Sequence, residues 1–501
     1  MNLKSDLVAV IGSGTMGRGI AQLAAAAGHG VLLFDSLPGA AERGKAAVVS
    51  DLGRLVARGR LDEGEAAAIA GRIEVCDALE SLKPSALVIE AIYENLEAKR
   101  ALFGELETIV APDAILATNT SSLSVTAIAA KLERPGRFAG MHFFNPAPVM
   151  KLVEIVSGLA SARGTLDRLH AIARDWGKTP VDARSTPGFI VNRVARPYYA
   201  EALRLLEEQV ADPATLDALM TEAGGFRMGP FALMDLIGHD VNYAVSRSVF
   251  DAYYGDPRFR PSITQLEMVD AGWLGRKTGR GFYDYRDGAA RPTPRACQVK
   301  PDAVPFASRS IFDGDFVEDG VLFSLTDGRT ARDRAREAAM PVILLDHAGD
   351  FDAATRIGFT ACDAVPDGVV ARFVVTATGL GKAATRLPDW PGLVVMRTVA
   401  MLANEAWETV LQGVADKAGV DTAMRLGVNY PLGPIEWGER IGLSHVERVL
   451  DAIFDATRDP RYRTSFGLRR AAARLSPVPK LPSWHKALRV EAGFQAADDF
   501  L

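Results

Sequence analysis

The chain has little cysteine: Cys76, Cys297 and Cys362 are widely spaced and odd in number among 501 residues. That excludes a disulfide framework and any C-x-x-C metal pattern, and it fits a reducing cytosolic compartment. Histidine is scarce too, at seven, so no His-rich metal tract exists. Neither charge dominates. The net charge of −5 supplies no basic footprint for nucleic acid and no polybasic patch for a membrane. No apolar run approaches the length of about 18 residues that a membrane span needs. A secretory leader is not expected either, because Lys4 and Asp6 lead straight into "LVAVIG". What remains is a globular composition, 48% hydrophobic and 24% charged, with material for about three domains.

The first stretch of interest is "LVAVIGSGTMGRGIAQLAAAAGHGVLLFDS". It reads as strand, Gly-rich turn, helix, strand. Leu7–Ile11 is a short apolar run closed by glycine, as a buried parallel strand should be. Gly12, Gly14 and Gly17 form G-x-G-x-x-G. The first permits a tight turn, the second lets backbone approach a pyrophosphate, and the third lets helix and strand pack closely. The helix beginning at Thr15 and Met16 aims its amides at the phosphates. The second strand ends in Asp35, placed to bond both ribose hydroxyls of the adenosine. Ser36 follows, with no Arg expected nearby to hold a 2′-phosphate, so NAD is expected rather than NADP.

Alternating strands and helices continue to about residue 185. Ala86–Ile92 reads as a buried strand, "ENLEAKRALFGELETIV" as a helix, and "AILATNTSSLSV" as a strand ending in small polar residues. Ligands of a doubly wound sheet lie beyond the strands' carboxyl ends, so Asp35, Glu94, Ser121 and His142 converge on one crevice. Glu94 and Lys99 admit a plainer reading as a solvated surface ion pair. The sharper question lies in "MHFFNPAPVMKLVEIV", residues 141–156. His142 and Glu154 sit in segments that look like sheet core. Hydride removal from an alcohol needs a base for the hydroxyl proton, and His titrates near the working pH. A carboxylate on its far ring nitrogen would fix the tautomer and stabilise the imidazolium. The plainer alternative is a satisfied core histidine and a Glu154 facing solvent.

Seven motifs together carry a resemblance: "VIGSGTMGRGIA", "EAIYENLEAK", "TNTSSLSV", "GMHFFNPAPVMKLVEIV", "TPGFIVNRV", "MGPFALMDLIG" and "GWLGRKTGRGFYDY". In order and spacing they resemble the NAD-dependent 3-hydroxyacyl-CoA dehydrogenase family over residues 5–286. At full length the chain resembles longer two-tail members associated with aromatic-degradation and butyrate-type pathways. The resemblance implies a Rossmann-type α/β sheet followed by all-α domains, and oxidation of a (3S)-3-hydroxyacyl-CoA. It implies His142 as base, Glu154 as its orienting partner, Ser121 near substrate oxygen and nicotinamide, and Asn192 reaching the reacting carbonyl region. Gly12, Gly14, Thr15, Met16, Gly17, Asp35, Glu94, Lys99, Asn145 and Lys277 would contact NAD. One segment departs from the family. In "SDLGRLVARGRL", Asp51 stands where a Ser faces the CoA nucleotide and would repel a phosphate. Arg58 replaces a Lys, and Arg54 would assist.

The C-terminal half repeats itself at an offset of 204 positions, from "TPGFIVNRV" at Thr186 to "WPGLVVMRT" at Trp390. The register holds without a gap from Pro187 to Gly238, marking a duplicated helical domain. Met396 occupies the position of Asn192, so the second copy is expected to pack rather than catalyse. In shorter family members the helical domain dimerises. A second copy implies a homodimer or a monomer with an internal pseudo-dimer. The expected division is 1–186, a Rossmann domain; 187–291, the first helical domain; 292–389, an α/β linker domain; and 390–501, the degenerate second helical copy. The linker domain looks like strand, helix, strand, parallel in order to the first βαβ unit. It lacks phosphate-cradling glycines and should not bind NAD. Two rivals stand: a dehydrogenase of a free hydroxy or sugar acid, and a non-catalytic structural relative. A fused hydratase is not expected.

Overall fold

The computed structural model describes residues 6–300, 302–306 and 314–475. The parts of the linker domain at 301 and 307–313, and of the second helical copy at 476–501, lie outside the described residues.

Eight strands form the first sheet: β1 (Val8–Ile11), β2 (Val31–Phe34), β3 (Ile73–Cys76), β4 (Leu87–Glu90), β5 (Ile115–Thr118), β6 (Phe138–Phe143), β7 (Leu152–Ser157) and β8 (Thr179–Arg184). Their order is β3-β2-β1-β4-β5-β6-β7-β8. All neighbours are parallel except β6 and β7, so β7 and β8 run against the other six. The strand period of two divides side chains between the sheet's faces. Val8 and Val10 join the core under the helix Thr15–Ala26, whereas Ala9 and Ile11 join the core on the other side. Burial of both faces explains why "VAVI" is apolar throughout.

The second sheet contains β9 (Phe316–Glu318), β10 (Val321–Leu325), β11 (Val342–Leu345), β12 (Arg356–Ala361) and β13 (Ala383–Arg386), ordered β13-β12-β11-β10-β9. Its topology corrects the expected kinship with the first βαβ unit. The pairs β10/β11 and β12/β13 are parallel and β11/β12 antiparallel, which is the pattern of β5 to β8. The register agrees: Arg356 pairs with Ala383 as Leu152 pairs with Thr179, both at the 204 offset. Lys178 Nζ donates to the carbonyls of Ala147, Pro148 and Met150, and Lys382 Nζ repeats this on Asp352 and Ala354. The duplication therefore includes the second half of the first sheet as well as the helices. Sequence similarity does not reveal this, because "LVEIVS" and "RIGFTA" share almost nothing.

The two helical units are pseudo-symmetric. The turn entering each one places Gly188–Phe189 and Gly392–Leu393 at positive φ. Asp217 caps the amides of Phe231 and Ala232, and Asp421 caps those of Ile435 and Glu436. Across their interface Arg193 Nε donates to Glu405 at 2.6 Å, and Arg397 Nε donates to Glu201 at 2.8 Å. These residues exchange roles at the 204 offset, as in an isologous dimer contact. Every residue from Val395 to Thr409 is buried, so the helix Val395–Leu411 is the centre of the pair. No helix among the described residues is long and apolar enough to cross a membrane.

Candidate active site

The turn between β1 and the helix Thr15–Ala26 has the geometry of a phosphate cradle. Gly12 has φ +93°, and a Cβ there would lie 2.6 Å from the Ala91 carbonyl oxygen. A Cβ on Gly17 would lie 1.7 Å from the Gly12 carbonyl oxygen, whereas one on Gly14 would meet nothing within 4 Å. The space beside Gly14 is thus open to a ligand. The helix that follows has no side-chain cap, which leaves its first amides for an anion. Thr15 and Met16 occupy that first turn.

Asp35 follows β2. Its Oδ2 accepts from the Ser13 amide and hydroxyl, both at 2.7 Å, and its Oδ1 accepts from the Leu37 amide at 3.0 Å. Partial burial would raise its pKa, but these bonds and the nearby Arg43 charge outweigh burial and hold it below the usual carboxylate range. Arg43 corrects the expectation that no Arg stands near. It lies one turn into the helix Ala40–Ala57, which the fold returns to Asp35. The anionic Asp35 still excludes a 2′-phosphate, and with the open Gly14 turn these residues fit NAD. Replacing Asp35 by Ala removes the ribose acceptor while leaving Arg43. NADH affinity should fall by about 1.5–3 kcal/mol and NADPH affinity should rise, read by fluorescence titration of both cofactors.

Glu94 organises the ends of β4 and β5. It accepts from the Ser121 amide at 2.7 Å, the Ser121 hydroxyl at 3.2 Å and the Thr120 hydroxyl at 3.0 Å. The surface-pair reading of Lys99 is wrong. Lys99 is buried, with Nζ 2.5 Å from Glu90 and 3.4 Å from Glu94, so it braces the Glu90–Glu94 loop from beneath. Glu90 was not singled out from sequence. It reads as part of an apolar strand, and only its burial reveals that it must be paired.

His142 and Glu154 are directly opposed across the antiparallel pair β6/β7. His142 Nδ1 lies 2.6 Å from Glu154 Oε2. Glu154 is fully buried, so the solvent-facing alternative fails. Its other oxygen accepts from the amides of Ile190 and Val191 at 3.1 and 3.0 Å. One carboxylate therefore fixes both the imidazole and the entry to the first helical unit. A carboxylate only accepts, so Nδ1 carries the proton and Nε2 is left as a base. Phe144 and Phe189 flank the ring, with centroids at 4.5 and 5.8 Å. Asn192 Nδ2 reaches the Ser121 carbonyl at 3.5 Å, closing the cleft between sheet and helices.

Asn145 is exposed in the loop after β6, beside a cis peptide to Pro146. Asn119 and Lys178 hold that loop, and neither was expected. Asn119 accepts from the Phe143 amide at 2.8 Å. Burial, and then the nearby Lys151 charge, lower the Lys178 pKa to about 8. Lys277 sits on the helical lip, paired with Asp240 at 2.5 Å. Asp51 forms an ion pair with Arg54, which offsets the expected repulsion of a phosphate but also engages Arg54. Arg58 stands exposed after that helix, with no ion-pair partner among the described residues.

Comparison with known proteins agrees with this geometry. Residues 7–186 match the 3-hydroxyacyl-CoA dehydrogenase NAD binding domain, and 188–285 and 392–475 both match that family's C-terminal domain. Residues 323–391 match the 3-hydroxybutyryl-CoA dehydrogenase reduced Rossmann-fold domain. A 3-hydroxyadipyl-CoA dehydrogenase of Escherichia coli is 44% identical over 94% of this chain and 98% of its own. A 3-hydroxybutyryl-CoA dehydrogenase of Clostridioides difficile is 41% identical over 56% of this chain and 99% of its own. A crystal structure of 3-hydroxybutyryl-CoA dehydrogenase from Escherichia coli superposes with a TM-score of 0.90 at 44% identity, covering 94% of this chain and 98% of that one. With the cradle, the carboxylate–imidazole pair and the twice-matched helical unit in place, the chain belongs to the 3-hydroxyacyl-CoA dehydrogenase family, as an NAD-dependent oxidoreductase.

Proposed function

We propose that the chain oxidises a short-chain (3S)-3-hydroxyacyl-CoA reversibly at the cleft between the first sheet and the first helical unit, with His142 as base. The observation that carries this reading is the buried His142–Glu154 pair, with Nε2 as the ring's free acceptor. His142 takes the C3 hydroxyl proton at Nε2, and Glu154 stabilises the imidazolium that forms. Bound NAD supplies the hydride acceptor. Ser121 and Asn192 position the oxygen being oxidised. Gly12, Gly14, Thr15, Met16, Gly17, Asp35, Glu94, Asn145 and Lys277 hold the dinucleotide, whereas Lys99, expected to contact it, is buried and braces the Glu90–Glu94 loop instead. Arg58, with Arg54 secondary, meets the CoA phosphates.

Leu236, Ile237 and Val241 on the helical lip are between 37% and 49% exposed. These apolar side chains favour a hydrocarbon acyl chain. The relatives' names point to 3-hydroxybutyryl-CoA or 3-hydroxyadipyl-CoA, and we assign the reaction to a fatty-acid or phenylacetate-type degradation. We also assign the boundaries 1–186, 187–291, 292–389 and 390–501, a cytoplasmic location, and a helical pseudo-dimer that takes the place of a partner subunit.

The deciding experiment is oxidation of NADH by acetoacetyl-CoA, with NADPH in parallel. Turnover specific for NADH is expected. A folded, NADH-binding protein inactive on acetoacetyl-CoA and on longer and dicarboxylyl 3-oxoacyl-CoA thioesters would overturn the reading. In the second copy, Met396→Asn should leave the turnover of the folded enzyme unchanged, because Met396 lines the other cleft. A clear gain would reveal a second reaction centre.

A further inference from the structure

The second cleft, between the five-stranded sheet and the second helical unit, holds a cavity of about 260 Å³. Its lining residues Leu325 and Met396 stand at the 204 offset from Ser121 and Asn192 of the first cleft. The Asp346 amide donates to the Gly358 carbonyl at 2.8 Å, and at the 204 offset these two residues stand for His142 and Glu154. With no side chain at Gly358, the Asp346 carboxylate occupies the vacated place. It accepts from the amides of His347, Val394, Val395 and Met396 at 2.8–3.0 Å. The carboxylate that anchors the helical unit is kept, and the base is gone.

The walls have changed in one chemical direction. At the 204 offset Leu236 and Val241 become Arg440 and His445, and Phe143, a core residue stacked on Trp176, becomes His347; Arg440, His445 and His347 all line the cavity. His445 already uses both ring nitrogens: Nε2 donates to the Thr326 carbonyl at 3.1 Å, and Nδ1 accepts from Arg448 at 3.2 Å. The His347 ring packs edge-on against Phe351 and makes no hydrogen bond among the described residues. Burial, with His445 nearby, lowers its pKa to about 4, so it is a neutral imidazole with an N–H to give. Arg440 is tied to Glu436 at 2.6 Å, one turn away on its own helix. Such a surface pair is weak, and the guanidinium is readily redirected.

A nucleotide is excluded. Among the described residues the second sheet has no counterpart of β1 and β2, and Asp389 already accepts the first amides of the helix Ala331–Ala338 at 2.6 and 2.9 Å. The cavity is also smaller than the ~300–1,000 Å³ typical of larger ligands. We propose that the second cleft is a binding site for a small organic carboxylate, held by Arg440 and His347 with its chain against Phe351 and Ile441. This stands independently of the roles assigned to His142.

The test is calorimetric titration of the full chain with butyrate and with butyramide. NAD+ and acetoacetyl-CoA are both present, a pair already oxidised that fills the first cleft without turnover. One equivalent of butyrate should bind saturably, and butyramide at least tenfold more weakly. Arg440→Leu and His347→Phe, which restore the residues found 204 positions earlier, should each weaken butyrate at least tenfold. Absence of saturable binding to the wild type would overturn the proposal whatever the variants do. Equal affinity for butyramide, or unchanged affinity in both variants, would also overturn it.

Discussion

His142→Gln should lower turnover by about 10²–10⁴-fold, the range that a positioned general base contributes, while NADH binding stays at the wild-type value. The imidazole lies beyond the dinucleotide cradle, so its loss falls on the chemical step. Glu154→Gln should be nearly as damaging, for a different reason. The amide oxygen can still accept from Ile190 and Val191, which preserves the helix entry. Its NH₂ would then face His142 Nδ1 and donate to it. That moves the ring proton to Nε2, where a lone pair is needed. Glu154→Ala should add a loss of about 1–3 kcal/mol in stability, because two buried amides lose their acceptor. Turnover, NADH fluorescence titration and urea unfolding separate the three variants. A Glu154→Gln enzyme with wild-type turnover would sink the tautomer argument.

Glu405→Ala should destabilise the whole chain by about 3–5 kcal/mol, the cost of leaving a buried charge unpaired. Glu405 accepts from Arg193 Nε at 2.6 Å and from Arg258 Nη1 at 2.9 Å, and the Arg193 side chain is fully buried. The symmetric change, Glu201→Ala, removes the acceptor to which Arg397 and Tyr462 donate at 2.8 Å each, and Arg397 then keeps Glu208 at 2.9 Å. Both changes should act on both helical units, because each pair has one member in each unit. A single urea transition shifted to lower midpoint is expected for either variant. Two separate transitions would show that the units fold independently and that the pseudo-dimer is not one cooperative body. Arg193→Met with Glu405→Leu should cost much less than either single loss, since an apolar pair removes both desolvation penalties.

Much of the first cleft was legible from residues alone. The glycine spacing dictated a turn that only a missing Cβ permits, and the structure has Gly12 at φ +93°. An ionisable pair in two apolar strands had to be satisfied, and His142 and Glu154 satisfy each other. Less legible were the groups that acquire roles by burial. Lys99 looks like a solvated helix residue and proves to be buried beneath the Glu90–Glu94 loop. Arg43 follows Asp35 closely in sequence, but only the helix that turns back after β2 shows its charge reaching the carboxylate. Lys178 carries no motif, yet it holds three carbonyls of the loop after β6.

The sequence by itself determined the cofactor class, the family and the helical repeat. Each is written in local spacing: a turn, a strand end, or a helix matching another at a constant offset. Tertiary structure alone decided what the repeat contains. Strand register is set by pairing across chain segments, and pairing shows that Asp346 and Gly358 stand where His142 and Glu154 stand. Nothing in "RIGFTA" reveals this, because it shares only its apolar burial with "LVEIVS", and which residues oppose one another depends on the partner strand. The same ladder that opposes base and carboxylate in one cleft leaves a single anchoring carboxylate in the other.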